Sequence, residues 1–470
     1  MPQASTPRAL ALIVASALFM QNLDSSVVAT ALPAMARDLG EPVANLSVAI
    51  TAYLVALTVF VPVSGWVADR FGAKRVFMAA ILVFTIASGL CAAADGLAWL
   101  VSARVLQGVG GAMMVPVGRL LLLKSVTKAQ MLAAMTWLTM PGLLGPVSGP
   151  PIGGLLTDLY GWRSVFLINL PIGVLGLVLV ATMIPATPPD EATAAPDLKG
   201  LWLVGGALAL GMTGLETVGR TVLEPLLAWG ALFAGLGLGW LALRHCRRVA
   251  RPALDLSLMT IPTFHAAAVA GSLFRIGAGV APFLVPLLLQ TVFGWSATQS
   301  GLVTFATAVG AFAMKPMAQP LLRRFGFRAT MLANTGLAAA GSAAGALFAP
   351  GWPWWAMFVV LALGGLARSL QFTAMNTLAF ADVPGARLSA ATSLYGTLQQ
   401  ITPALGVVMA SAVLAGSAAL GGRAAPDGAD FFWAFAGAGL LVLASAPLFA
   451  KLAPDAGADV SGHGGRGGKT

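Results

Sequence analysis

Charge is scarce in this chain. Of 470 residues only 9% are charged and 58% are hydrophobic, whereas roughly a quarter of a soluble globular protein is charged. A water-soluble domain of this composition is excluded, and a multi-pass membrane protein is expected. Cysteine is almost missing: Cys91 lies in an apolar run and Cys246 in a basic loop, so there is no disulfide framework. With three histidines in the whole chain, no Cys/His cluster has metal spacing. Acidic residues are fewer than basic ones, 17 against 27, and none occurs between Asp255 and Asp382. The basic residues behind the net charge of +10 are strung along many short connections, never in one dense patch, which argues for membrane topology and against nucleic acid. Neither a catalytic triad, a phosphate loop nor a soluble catalytic domain is present. An enzyme is not expected, nor a cofactor beyond a proton gradient.

What is abundant is long apolar sequence. Spanning a bilayer by helix takes about 20 mostly apolar residues, and these runs are continuous, unlike the alternating segments of about ten residues in a membrane β-barrel. Fourteen candidate spans follow: Ala9–Leu32, Ala44–Val67, Val76–Ala94, Leu97–Leu123, Met131–Leu156, Ser164–Ile184, then Leu201–Thr217 and Leu226–Leu243, then Phe264–Phe293, Thr298–Leu322, Ala329–Phe348, Trp354–Phe380, Leu388–Ala415 and Phe431–Leu452. The first run is too long for the apolar core of a signal peptide and stays as a span. The expected organisation is a six-helix bundle over residues 1–186, a linker with two inserted helices over 187–257, a second six-helix bundle over 258–452, and a disordered tail over 453–470. With both termini cytoplasmic, the inner loops collect most of the Lys and Arg, and the outer loops keep only Arg37, Arg163, Arg220 and Arg423, as the positive-inside rule requires. Trp352, Trp354 and Trp355 then fall at an outer boundary, where aromatic belts lie.

The halves share a faint repeat. GWVADRFGAKR (Gly65–Arg75) follows the second span, and QPLLRRFGFR (Gln319–Arg328) ends the second span of the last six. Each has an RFG core with a basic residue two positions later, so a duplication is expected.

These residues resemble the major facilitator superfamily and, within it, the fourteen-span drug:proton antiporter branch. LDSSVVATALP (Leu23–Pro33) is similar to that branch's first-helix motif, and GWVADRFGAKR to the superfamily's signature loop. RVLQGVGGA (Arg104–Ala112) is similar to the fourth-helix motif, GPVSGPPIGGLL (Gly145–Leu156) to the antiporter motif, and the match continues through WRSVFLINLPIG (Trp162–Gly173). Ala73 stands where the signature loop often has a basic residue, and Arg323 replaces the aspartate in the second copy. The resemblance implies two six-helix bundles alternating between inward and outward openings. It also implies a gating role for Asp69, Arg70, Gly72, Lys74 and Arg75, and antiport rather than uptake. Asp69 is placed to hold a facing helix N-terminus through its positive end. Gly145, Pro146, Gly149, Gly153 and Gly154 would let helices approach closely and bend, which suits a rocking interface or plain tight packing.

The remaining question is the charge inside the membrane. Asp24 lies roughly 12 Å from the outer end of its span and Arg104 roughly 10 Å, at 1.5 Å per residue, so the two can meet if their helices adjoin. An apolar site disfavours the charged carboxylate and a nearby arginine favours it. A carboxylate poised between these influences can load and release a proton; the alternative is a structural ion pair. In the second half, Arg275 and Arg368 lie near the bilayer midplane, where a charge costs at least about 2.5 kcal/mol. They are expected to bind the head group of an anionic or weakly acidic amphiphile, with Gln371, Met375, Gln21 and Gln399 completing the site. Equally, they could bind backbone carbonyls or glutamines. Arg119 and Lys315, nearer the span ends, are expected to snorkel. The expected function is proton-coupled export of hydrophobic small molecules by a monomer in a bacterial inner membrane, with membrane lipids and protons as its other partners. A lipid or lysolipid translocator and a non-transporting receptor or scaffold are the rival readings.

Overall fold

The computed structural model describes residues 7–186, 188–189, 195–217, 224–423 and 426–463. Every described element is helical. Bundles of this kind follow from the solvent: with no water in the hydrocarbon core, backbone N–H and C=O groups must be paired within the segment, and a helix does that alone.

The helices are α1 (Pro7–Leu39), α2 (Val43–Phe60), α3 (Ser64–Phe71), α4 (Ala73–Ala92), α5 (Leu97–Ser125), α6 (Lys128–Tyr160), α7 (Ser164–Leu167), α8 (Asn169–Met183), α9 (Leu198–Thr217) and α10 (Pro225–Cys246). They continue with α11 (Pro262–His265), α12 (Gly271–Ala278), α13 (Ala281–Thr291), α14 (Ala297–Thr304), α15 (Ala306–Ala343), α16 (Trp354–Ala381), α17 (Leu388–Leu420), α18 (Gly428–Leu443), α19 (Ala446–Ala450) and α20 (Ala458–Ser461). Among the described residues, 12 helical stretches are long and apolar enough to cross a membrane. One of them, Thr298–Leu347, runs for 50 residues and contains a break at Gly326, with φ 73°. The loop between α3 and α4 turns at Gly72, with φ 86°. Both glycines end an RFG triplet, so the repeat marks two places where the chain turns through a left-handed conformation that glycine alone adopts readily.

The chain divides into two compact units. The first comprises residues 1–127, 137–256 and 384–397, and the second residues 128–136, 257–383 and 398–470. The first unit packs Leu23, Val27, Ala31 and Met35 of α1 against Leu46 of α2, Leu100 of α5, and Trp162 and Phe166. The second packs Leu284 and Leu288 of α13 with Met357 of α16 and Phe431 and Phe435 of α18. The inserted pair α9 and α10 has its own small contact layer of Val204, Ala242 and Cys246. The Asp197 carboxylate closes the base of that pair, accepting from Gly200 N at 2.9 Å and Ala253 N at 3.2 Å, with His245 Nε2 at 2.9 Å.

Three expectations need correction. The tail is not disordered from residue 453: α20 is folded, and Val460 and Ser461 are buried. His463 sits beside the Gly326 turn, its Nδ1 3.2 Å from the Arg323 carbonyl oxygen. Burying Val460 supplies apolar stabilisation that the Gly-rich composition alone does not suggest. Arg119 does not snorkel; it is 4% exposed, with its guanidinium 5.6 Å from the Tyr395 ring. Nor does Lys315, 7% exposed, whose Nζ donates to Thr373 Oγ1 at 3.3 Å. In both cases a neighbouring helix offers a polar or π partner. Thr187, residues 190–194 of the linker, Arg220 and residues 464–470 lie outside the described residues, as does the side chain of Pro146.

Candidate proton-coupling site

Six helices contribute to one polar cluster in the first unit. Asp24 of α1 and Arg104 of α5 are both fully buried and meet at 2.5 Å, Nη1 to Oδ2. The other carboxylate oxygen, Oδ1, accepts from Gln107 Nε2 at 2.8 Å and from Asn169 Nδ2 at 2.8 Å. Ser88 Oγ of α4 accepts from the same two amides, at 2.8 and 3.2 Å. Arg104 also donates from Nη1 to Gln107 Oε1 at 2.5 Å, and from Nε to the Ala49 carbonyl at 3.4 Å. Its guanidinium lies over the Tyr53 ring of α2, 4.2 Å from the centroid, and 5.9 Å from the Phe166 ring of α7. Arg104 and Gln107 are three residues apart on α5 and so share a face.

This arrangement holds a charged pair in a dry site by giving both carboxylate oxygens donors, one on Oδ2 and two on Oδ1, while Asn169 Oδ1 has no hydrogen-bond partner among the described residues. Two charges taken out of water are tolerated only when the geometry is good and the remaining lone pairs are satisfied. Gln107, Asn169 and Ser88 were not singled out from sequence, although the first two stand inside the RVLQGVGGA and WRSVFLINLPIG motifs. The available signal was the i, i+3 spacing of Gln107 from Arg104. Nothing local to Asn169 or Ser88 would have marked them.

The glycines of α6 divide. A Cβ on Gly145 would sit 2.7 Å from Asn22 Cβ and 2.8 Å from Leu23 N, and Cβ atoms on Gly149 and Gly153 would strike Ser26 and Thr30. Ser26 Oγ donates to the Gly145 carbonyl at 3.1 Å. These three glycines let α6 lie directly on α1, the helix that carries Asp24. Gly154 differs: nothing lies within 4 Å of a Cβ there, so the close approach does not include it.

In the signature loop, Asp69 Oδ2 accepts from the Ser389 hydroxyl at the start of α17, and Lys124 Nζ lies 3.5 Å from Oδ1. Ser393 Oγ donates to the Val61 and Pro62 carbonyls at 3.2 and 2.7 Å, and a Cβ on Gly65 would meet the Ser389 carbonyl oxygen at 2.5 Å. Residues 384–397 thus belong to the first unit through the loop. Lys74 Nζ donates to the Ala181 carbonyl at 2.9 Å, while Arg70 and Arg75 are exposed.

The expected head-group set in the second unit is not one cluster. Gln371 is fully buried and occupied: its Oε1 accepts from Asn334 Nδ2 at 2.8 Å and its Nε2 donates to Thr335 Oγ1 at 3.1 Å. Met375 is also fully buried. Arg275 Nη2 donates to Asn376 Oδ1 at 3.4 Å, and Gln399 Nε2 donates to the same oxygen at 3.0 Å, an amide partner of the kind weighed as the alternative. Arg368 is half-buried and makes no hydrogen bond or ion pair among the described residues. Helical spacing put Arg368, Gln371 and Met375 on one side, but contact with α15 claims Gln371 for packing. Gln21 is 6% exposed, and its Oε1 has no hydrogen-bond partner among the described residues.

A many-helix membrane protein in two units, with a carboxylate and a guanidinium buried together, has the architecture of a secondary transporter. The family model of the Major Facilitator Superfamily matches residues 14–266 and again residues 267–469. The chain belongs to that superfamily, and it is a transporter rather than an enzyme. A relative from Pectobacterium atrosepticum named "Putative multidrug resistance protein MdtD" is 38% identical over 453 residues, covering 94% of this chain and 95% of the relative. One of the same name from Salmonella paratyphi B is 37% identical over 406 residues, covering 86% and 85%. Among solved structures, the human organic anion transporter MFSD10 (TETRAN) matches with a TM-score of 0.69 at 14% identity, over 94% of this chain and 99% of that one. The proton:xylose symporter XylE, bound to 6-bromo-6-deoxy-D-glucose, matches with a TM-score of 0.63 at 14% identity, over 94% and 95%. At that identity the likeness to both structures concerns the fold alone.

Proposed function

We propose that this protein exports hydrophobic or amphiphilic small molecules in exchange for protons, by alternating access in a bacterial inner membrane. It does so as a monomer of fourteen spans with both termini cytoplasmic, driven by the proton gradient without a cofactor. The multidrug-resistance name of its relatives supports the substrate class. The observation that carries the coupling is the set of donors on Asp24: one oxygen accepts from Arg104 and the other from Gln107 and Asn169.

The mechanism follows from those donors. Protonation converts one carboxylate oxygen into a donor, and each group now hydrogen-bonded to the carboxylate is itself a donor. The least costly relief is for Arg104 to give up Oδ2, keeping Gln107 Oε1 and the Tyr53 ring, where cation–π attraction holds a desolvated guanidinium. Proton binding therefore loosens α5 from α1, and deprotonation restores the pair. Because Gly145, Gly149 and Gly153 seat α6 on the same helix, a shift of α1 passes directly to α6. Asp69 on Ser389 acts as the latch of one end state.

Reconstituted into liposomes, the wild-type protein should release protons when substrate is added and drive substrate against a proton gradient, and Asp24→Asn should do neither. Full gradient-driven transport by Asp24→Asn would overturn the coupling. One observation favours a preference for anionic or weakly acidic amphiphiles: Arg368 has no hydrogen-bond or ion-pair partner among the described residues, in a stretch with no acidic residue between Asp255 and Asp382. A panel of anionic, neutral and cationic analogues tests it, and a clear preference for cations would remove it.

A further inference from the structure

The first unit carries a cavity of about 400 Å³ apart from the Asp24 cluster. It lies along α3, α4 and α5, with Phe71, Arg75, Ala79, Val83, Gly110 and Met113 among its lining residues. Helical spacing explains its shape. Arg75, Ala79 and Val83 follow one another at i, i+4 and i+8, so they form one stripe of α4. The floor is low because the residues there are small: a Cβ on Gly110 would sit 2.8 Å from the Phe84 backbone nitrogen, so α5 rests on the backbone of α4. One wall is Phe71, 53% exposed, whose ring is set edge-on by Trp66 at 6.2 Å.

The trough is apolar along its length and ends in a cation. Arg75 is exposed and makes no hydrogen bond or ion pair among the described residues, unlike its neighbour Lys74, which is bound to the Ala181 carbonyl. From Arg75 to Val83 the stripe runs about 12 Å along the helix axis, comparable to one leaflet of a hydrocarbon core about 30 Å thick. The cavity volume falls in the range of real ligand pockets, about 300–1,000 Å³.

We propose that this trough binds one anionic phospholipid, with an acyl chain against Ala79, Val83, Gly110 and Met113 and the phosphate on Arg75. The chemistry selects that occupant. A polar ligand would leave its groups unpaired against alkyl side chains, and a plain hydrocarbon would leave the arginine unused. A zwitterionic lipid brings its own cation toward Arg75, whereas an anionic head group completes the charge. Exposed Arg70, one residue before Phe71, adds to the field at that end. No residue of the Asp24 cluster lines the trough.

The test uses the full-length protein in detergent, with bound lipid counted by native mass spectrometry during titration with phosphatidylglycerol or phosphatidylcholine. Phosphatidylglycerol should be retained preferentially. Arg75→Gln should weaken that binding about fivefold, the equivalent of about 1 kcal/mol for one surface cation, and abolish the discrimination between the two lipids. Arg75→Lys should keep most of it, which separates loss of charge from loss of fold. Ala79→Leu, which fills the trough from an exposed helix position, should weaken both lipids. Equal binding of the two lipids by the wild-type protein, or unchanged binding in both Arg75→Gln and Ala79→Leu, would overturn the proposal. So would displacement of the lipid by millimolar inorganic phosphate, which would mark a small-anion site, or a dimer abolished by Ala79→Leu, which would mark an interface between copies.

Discussion

Removing both members of the Asp24–Arg104 pair should cost clearly less than the two single losses added together. In Arg104→Gln, Oδ2 of a fully buried carboxylate loses its charged donor, and breaking a buried pair from one side costs about 3–5 kcal/mol. Asp24→Asn looks conservative and is not. Three donors converge on the carboxylate, one on Oδ2 and two on Oδ1, but an amide has a single acceptor oxygen. In one orientation its NH₂ faces Arg104, and in the other it faces Gln107 and Asn169. Either way a donor meets a donor in a dry site, and a guanidinium is left without its counter-charge, so a similar loss of about 3–5 kcal/mol is expected. The double variant carries two neutral amides that can bond to each other. Its loss should fall short of the sum of the single losses by about 1.5–3 kcal/mol, the upper part of the range for residues in contact. Thermal unfolding in detergent, followed by tryptophan fluorescence for all four proteins, gives the cycle. Proton release on substrate addition, read with a pH dye, should vanish in every variant, including the double one. A coupling below about 0.5 kcal/mol, or Arg104→Gln as stable as the wild type, would refute the reasoning.

Three further outcomes are expected. Gly149→Ala, which drives a Cβ into Ser26, should lose about 1–3 kcal/mol through overpacking, whereas Gly154→Ala, in open space, should stay within about 0.5 kcal/mol; unfolding midpoints of the two variants side by side check this. Ser389→Ala removes a donor to the Asp69 carboxylate, a bond of the class worth about 1.5–3 kcal/mol. Amide exchange should therefore quicken over residues 388–397, with the Asp24 cluster unaffected, and unchanged exchange would deny the latch. Burial pushes the Asp197 carboxyl up, but the bond from His245 and the N–H groups of Gly200 and Ala253 outweigh it and hold it below the usual value of 3.8. Its stabilisation is present above about pH 4 and is lost as the pH falls through the lowered value. Exchange protection of α9 and α10 should drop on acidification below about pH 4 in the wild type, and should be lower and nearly flat with pH in Asp197→Asn.

The spans were legible because a bilayer imposes a length, about 20 apolar residues, which any single segment either meets or fails. The gaps between spans at residues 68–75 and 323–328 were legible because basic residues gather there, and the chain turns within them at Gly72 and Gly326. Asp24 and Arg104 stood out because charge is rare at their depth, and matched depth is itself a local count. What could not be read was neighbourhood. Asn169 and Ser88 are ordinary polar residues until α8 and α4 carry them to Asp24. Gln371 looked like part of a binding face until α15 presented Asn334 and Thr335. Arg119 and Lys315 looked like surface anchors until Tyr395 and Thr373 were beside them, and a Gly-rich tail looked unstructured until Val460 found a place to be buried. By itself the sequence determined which segments must leave water and where the chain must turn, since those costs are settled residue by residue. Only the tertiary structure decided which polar groups satisfy one another, because a buried donor takes whatever acceptor packing brings within about 3 Å, and that depends on which helices adjoin.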